Sequence, residues 1–116
     1  MKKFRGTLIG IDQGSALLFS DFEDGGQMWT GSGPRAVRIQ ARFSESFRTP
    51  PVVQASISMW DMDRATNMRA DLSAEEITAE GFVLVFSTWG DSRVARIRAD
   101  WTAIGELEDP DAWQVD

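Results

Sequence analysis

The chain has 116 residues, 42% apolar and 26% charged, which is enough for one domain with a buried core and unlike a disordered protein. Its 12 basic and 18 acidic residues give a net charge of −6, which disfavours binding to a nucleic-acid backbone. The absence of cysteine and histidine excludes disulfides, thiolate and imidazole metal sites, and Ser/His/Asp or Cys/His catalysis. We therefore expect a single domain over residues 1–116, not an enzyme, with no sign of a cofactor.

The N-terminal segment is not expected to direct secretion or membrane insertion. Its basic start is followed by short apolar runs that Gly6, Gly10, Asp12 and Gly14 interrupt, unlike a signal peptide or a membrane span. We expect a chain made in the cytoplasm; later release or attachment to a surface would leave no such mark. The next segment, Phe19–Gly33, is rich in glycine and acidic residues and is expected to form an ordered surface loop.

Alternation of apolar and polar residues with a period of two dominates the rest of the chain. It predicts strands over Arg35–Phe43, Val53–Met59, Asn67–Ser73 and Ala95–Ala103. Phe82–Trp89 is apolar at nearly every position, so both faces of this strand should be covered, for which a neighbouring protomer is one way. Five or six short strands joined by polar turns predict an all-β fold, an antiparallel β-sandwich.

The alternation also predicts which side chains face the core. Arg69 should point away from it, and Trp60 should lie on the polar side of its strand, whereas Trp101 should be buried. The last segment, Glu106–Asp116, is expected to be a loosely held tail that Trp113 pins down. The residues expected to face the core in the second and third predicted strands are Val53, Ala55, Ile57 and Met59, and Met68, Ala70 and Leu72.

Arg69 and Trp89 are the residues most typical of a carbohydrate-binding site. An indole face packs on the C–H face of a pyranose, and a guanidinium donates to ring hydroxyls in a fixed geometry. The alternatives are a core or interface position for Trp89, and a structural ion pair with Asp71 or Asp61 for Arg69.

Paired carboxylates raise the question of glycoside hydrolysis or metal binding. Adjacent acids on turns, such as Asp61 with Asp63, are usually solvated, whereas hydrolysis needs two carboxylates that face each other across a cleft. The same segment, together with Asn67, lacks the glycine and the bidentate glutamate of a calcium loop. We therefore expect neither a catalytic residue nor a metal site.

Between Arg35 and Trp101 the chain carries a set of residues in a recognisable order: Phe43, Pro50, Pro51, Val52, Val53, Ser56, Ile57, Asp61, Asn67, Arg69, Gly81, Phe82, Thr88, Trp89, Val94 and Trp101. With these residues the sequence resembles the H-type lectins, the snail agglutinin and discoidin group, which bind galactose and N-acetylgalactosamine. The resemblance implies a six-stranded antiparallel β-sandwich. It also implies a homotrimer, or a homohexamer of two stacked trimers, with glycan sites shared between protomers.

The resemblance implies sugar contacts for Arg69 and Trp89, but other family positions differ. Gly90, followed by Asp91, stands where the family has a histidine, and the family's acidic contact falls near Ser32. Gln13 and Phe86 stand about where the family has its disulfide, so secretion is not implied. The alternative is a docking module of a surface or phage-like assembly that has lost sugar binding. The candidate glycan-binding residues are Arg69, Trp89, Gly90, Asp91, Ser32 and Trp29, the last as a replacement for the acidic contact.

Overall fold

A computed structural model, which describes residues 1–110, consists of two three-stranded antiparallel sheets. The elements are β1 (Leu8–Ser20), α1 (Gln27–Thr30), β2 (Arg35–Arg42), β3 (Val52–Met62), β4 (Asp71–Glu75), β5 (Gly81–Thr88) and β6 (Val94–Leu107). One sheet has the order β1–β6–β3 and the other β2–β5–β4. This arrangement confirms the predicted all-β, six-stranded antiparallel sandwich. Among the described residues, no helix has the length and apolar character needed to cross a membrane.

Aromatic side chains from both sheets form the centre of the core. The rings of Phe82 in β5 and Trp101 in β6 meet edge to face with centroids 5.2 Å apart, and Phe43 stacks on Phe82 at 5.7 Å. Such pairs contribute about 0.5–1.5 kcal/mol each beyond the area they bury. Trp101 is 8% exposed, which confirms its predicted place in the core.

The alternation predicts burial well in β6 and only partly in β3. In β6 every second residue from Ala95 to Ala103 is buried, as predicted. In β3 the register with β6 shifts between Ile57 and Met59, so Met59 lies opposite the exposed Arg98. Met62 packs on the core instead, and the prediction for Met59 was wrong because a bulge changes which face the following residues occupy.

The third predicted strand begins later than its pattern indicates. Instead of Asn67–Ser73, β4 covers Asp71–Glu75. Met68 is 59% exposed and Ala70 is also exposed, so of the three residues predicted to face the core only Leu72 packs against it. The preceding residues Asn67 and Arg69 form hydrogen bonds with Asp91 and Ser92, in the turn after β5, instead of pairing with a strand. β5 itself ends at Thr88, and Val85 on its outer face is buried within a single chain.

The N-terminal third contains two elements, β1 and α1, that the sequence pattern did not predict. β1 is 13 residues long despite its glycines. Gly14 lies opposite Trp101, and a Cβ there would come within 2.6 Å of the indole nitrogen, so the glycine makes room for the ring. The predicted loop Phe19–Gly33 contains the end of β1 and the helix α1, whose Met28 is buried. The predicted tail begins within β6, and its residues 111–116, including Trp113, lie outside the described residues.

Candidate functional site

The sheet register brings Arg69 and Trp89 to the same end of the molecule. β4 pairs with β5 so that Asp71 lies opposite Ser87, and the same register continued by two residues places Arg69 opposite Trp89. The Thr88 hydroxyl donates a hydrogen bond to the Arg69 carbonyl at 2.6 Å, which fixes this approach. The Arg69 side chain is 33% exposed and Trp89 is 45% exposed, so both are accessible to a ligand.

Arg69 forms an ion pair with Asp91, not with either carboxylate considered from the sequence. Arg69 Nη1 lies 2.5 Å from Asp91 Oδ1, and the Asn67 side-chain amide donates to both carboxylate oxygens at 3.3 Å. Asp61 pairs with Arg96 at 3.0 Å instead. Asn67, Arg69 and Asp91 therefore form one polar cluster, which presents hydrogen-bond donors and acceptors side by side.

The cluster favours the ionised form of Asp91. The hydrogen bond from Arg69 is the main cause that lowers the pKa of the Asp91 carboxyl below its ordinary value of 3.8, and the Asn67 amide is the second. At neutral pH the cluster therefore contains a guanidinium and a carboxylate in direct contact. A hydroxyl-rich ligand could donate to the carboxylate while it accepts from the guanidinium.

This lowered pKa predicts a loss of stability in acid. Ionised Asp91 stabilises the folded state fully above its ordinary pKa of 3.8, and this contribution disappears as the pH falls through the lower folded value. We expect the difference in Tm between wild type and Asp91→Asn to be constant from about pH 7 to about pH 5 and to shrink below about pH 4. When Arg69 is replaced by Gln, the Tm difference caused by Asp91→Asn should be smaller at every pH in this range. A difference that grows in acid would contradict this assignment.

A tight turn after Trp89 carries Asp91 back to Arg69. Gly90 has φ +67°, a conformation that favours glycine, and a Cβ at this position would lie 3.1 Å from Arg69 Nη1. The fully buried Ser92 hydroxyl accepts from the Arg69 backbone N–H at 3.0 Å and donates to the Asn67 carbonyl. Ser92 was not predicted from the sequence, in which a serine after Gly-Asp indicates only a turn.

The conformation of the turn predicts the effect of Gly90→Ala. The variant should lose about 1–3 kcal/mol from the positive φ, and in addition its methyl group should displace the Arg69 guanidinium. Gly25→Ala is the matched control, since Gly25 has φ +64° and open space around a Cβ. Urea unfolding should show a loss in both variants, whereas the Arg69 Nε–H resonance should shift only in Gly90→Ala. An Arg69 Nε–H resonance that stays at its wild-type position in Gly90→Ala would show that the methyl group does not displace Arg69.

Arg35 is a buried cation that holds three segments around this turn. It is 7% exposed, and its guanidinium donates to the carbonyls of Met28 at 3.1 Å, Gly33 at 2.9 Å and Gly90 at 3.3 Å. Gly33 N–H also donates to the Gly90 carbonyl at 2.9 Å, which places the exposed Ser32 one residue from the turn. The available sequence signal was an arginine in phase with the apolar face of β2.

Trp29 has a different environment from the other candidates. The Arg93 guanidinium carbon lies 4.2 Å from the centroid of the Trp29 ring, and Arg93 Nε donates to the Trp29 carbonyl at 3.0 Å. Phe22 meets the same indole edge to face at 5.0 Å. These contacts anchor the segment around α1. The structure thus groups Arg69, Gly90 and Asp91 next to Trp89, while Trp29 packs against Arg93 and Phe22.

An open hollow of about 290 Å³ adjoins Trp89. Ala36 and Ser87 are partners in the β2–β5 register, and the same register continued by two residues places Pro34 opposite Trp89. The hollow thus extends from the indole along the outer face of the β2–β5–β4 sheet. It is lined by Pro34, Arg35, Ala36, Ser87, Thr88 and Trp89.

Comparison with known proteins relates the chain to lectins. Residues 38–104 match the H-type lectin domain. The chain is 55% identical over 111 residues to the ATP synthase subunits region ORF 7 protein of Fuscovulum blasticum, with 96% of each protein covered. It is 33% identical over 78 residues to discoidin-2 of Dictyostelium discoideum, a match that covers 65% of this chain and 30% of that protein.

A solved structure has the same fold. Discoidin II of Dictyostelium discoideum superposes with a TM-score of 0.76 at 23% identity, which covers 93% of this chain and 40% of that one. The chain therefore spans less than half the length of the discoidins that it matches.

Proposed function

The chain belongs to the H-type lectin domain family, and on this basis we propose that it binds galactose-like, N-acetylgalactosamine-like or other surface glycans at Trp89 and the Arg69–Asp91 pair. Gly90 shapes the turn between them, and Ser32 and Trp29 belong to the neighbouring α1–β2 segment. One observation carries the proposal: an indole that is 45% exposed lies at the same sheet end as a charged pair that remains open to solvent.

The chemistry of these groups suits a neutral sugar ring. The flat face of an indole gains contact with the C–H face of a pyranose. The guanidinium donates to hydroxyl oxygens in a planar arrangement, and the ionised Asp91 accepts from hydroxyl protons. Because Asn67 and Arg69 already hold Asp91 in place, a ligand would meet a site whose acceptor needs little ordering.

A single open site of this kind is expected to bind weakly, with a Kd of about 0.1–1 mM. Several sites on one rigid assembly would raise the apparent affinity on a glycan-rich surface by about 10². We therefore include a homotrimer or homohexamer in the proposal.

The outer face of the β1–β6–β3 sheet offers an apolar surface for this assembly. Ile11 and Val52 both lie opposite Ile104, and the three side chains are 67%, 47% and 37% exposed. Sedimentation should give the mass of a trimer or hexamer for the wild type, and an Ile104→Asp variant should dissociate. A wild-type monomer at all concentrations would contradict the multivalent part of the proposal and leave the single site open to test.

A glycan array tests the binding proposal against the docking alternative. Binding of neutral glycans by the labelled wild type, lost in Arg69→Ala without loss of the folded state, supports the lectin function. The docking alternative is favoured by the existing contact of Arg69 with Asp91, with which a ligand must compete. No binding to any glycan on the array, together with no binding of soluble sugars at millimolar concentrations, would support docking and refute the lectin function.

A further inference from the structure

Next to Trp89, the outer face of the β2–β5–β4 sheet presents two polar side chains that are free to bind a ligand. Asp71 and Ser87 are direct partners in the β4–β5 register, with Ala36 on the other side of Ser87. Within residues 1–110 neither the Asp71 carboxylate nor the Ser87 hydroxyl makes a hydrogen bond or an ion pair with another side chain or the backbone. A free carboxylate and a free hydroxyl thus lie side by side on neighbouring strands, two residues along the chain from Trp89 in the case of Ser87.

Two arginines lie on this side of the sheet, but neither of them pairs with Asp71. Arg69, two residues earlier, pairs with Asp91, and Arg38 lies 2.6 Å from Glu76 and 4.0 Å from Glu75. The Asp71 carboxylate therefore retains its full capacity to accept hydrogen bonds.

The two ion pairs lie on either side of Asp71 and Ser87 along this face of the sheet. The Arg69–Asp91 pair lies at one end of the sheet, and the Arg38–Glu76 pair lies beyond Ser87 in the direction of Val85, the register partner of Arg38. Between the ion pairs, the small side chains of Ala36 and Ser87 line the hollow beside Trp89 and leave space above the sheet for a ligand. Two residues of a strand advance about 7 Å, so a group that meets Asp71 lies beyond one that meets Arg69.

We propose that Asp71 and Ser87, next to the small Ala36, form a second sugar subsite, so that the ligand is a neutral oligosaccharide of two or more rings. One ring contacts Trp89, Arg69 and Asp91, and the next donates hydroxyl protons to Asp71 and accepts from Ser87. An acidic glycan is disfavoured because its carboxylate would face that of Asp71. The inference rests on the proposed lectin function.

The test is a calorimetric titration with methyl β-galactoside and with a neutral galacto-oligosaccharide series. In the wild type we expect the longer ligands to bind about 10-fold more tightly than the monosaccharide, the effect of one or two added hydrogen bonds. Asp71→Asn and Ser87→Val should reduce this gain while leaving the affinity for the monosaccharide unchanged. Glu80→Gln, which also removes an exposed carboxylate but lies in the turn before β5, should retain the gain.

The outcomes separate this inference from the proposed function. Monosaccharide binding that is lost in Arg69→Ala, without any gain from longer ligands in the wild type, would overturn the second subsite and keep the lectin function. Retention of the full gain in both Asp71→Asn and Ser87→Val would also overturn it. If neither ligand binds the wild type at millimolar concentrations, both proposals fail. An oligosaccharide of galacturonic acid should bind more weakly than its neutral counterpart, and Asp71→Asn should narrow that difference.

Discussion

The Arg35→Met variant is expected to lose about 3 kcal/mol of stability, a large share of the 5–15 kcal/mol typical of a domain. Methionine fills much of the same space but donates no hydrogen bonds, so the buried carbonyl of Met28 and the partly buried carbonyl of Gly33 each lose a donor. Each unsatisfied buried group costs about 1–3 kcal/mol. The Gly90 carbonyl keeps only its bond from Gly33, so the turn that carries Asp91 should also loosen.

Arg38→Met provides the matched control for this prediction. Arg38 lies on the same strand but is about half exposed, and its surface ion pair with Glu76 should contribute at most about 1 kcal/mol. Arg35→Lys should fall between the two, because lysine keeps the charge but cannot reach all the carbonyls at once. Urea unfolding measures all three variants. Equal midpoints for Arg35→Met and Arg38→Met would show that the buried guanidinium does not hold the three segments together.

Trp89→Ala is expected to weaken glycan binding by at least about 10-fold, which for a millimolar site means loss of detectable binding. The substitution removes the apolar platform and leaves the Arg69–Asp91 pair intact. Because the indole is already 45% exposed, the stability of the fold should change little. Binding and unfolding should therefore respond differently to this change.

Trp60→Ala is the matched control for the indole. Trp60 is 63% exposed but lies on β3 in the opposite sheet. Titration of both variants with the neutral glycan that binds the wild type best should leave Trp60→Ala unaffected. If Trp60→Ala abolishes binding and Trp89→Ala does not, the ligand binds on the β1–β6–β3 sheet and the assigned site is wrong.

The sequence predicts the parts of this fold that depend on regular local pattern. The strict alternation of β6 identifies its buried face, because successive side chains of a strand point to opposite sides. It fails at Met59, where a bulge changes the register, and in β1, where Gly14 looks like an interruption and instead accommodates Trp101. In both cases the deciding contact comes from a strand that is distant in sequence.

The candidate site shows the same division. Arg69 and Trp89 can be identified from residue type and spacing. The choice of Asp91 over Asp71 as the partner of Arg69 depends on the positive φ of Gly90 and on the buried Ser92, neither of which leaves a periodic signal. The role of Arg35 depends on carbonyls from three separate segments.

A nitrogen–proton correlation NMR titration of the wild type with a neutral galacto-oligosaccharide tests the central claim most directly. The Trp89 indole N–H, the Arg69 Nε–H and the backbone amides of Gly90 and Asp91 should shift together and saturate at ligand concentrations above about 1 mM. The indole resonances of Trp29 and Trp60 should stay in place. Saturable shifts confined to other residues, or no shifts well above that concentration, would contradict glycan recognition at this end of the β2–β5–β4 sheet.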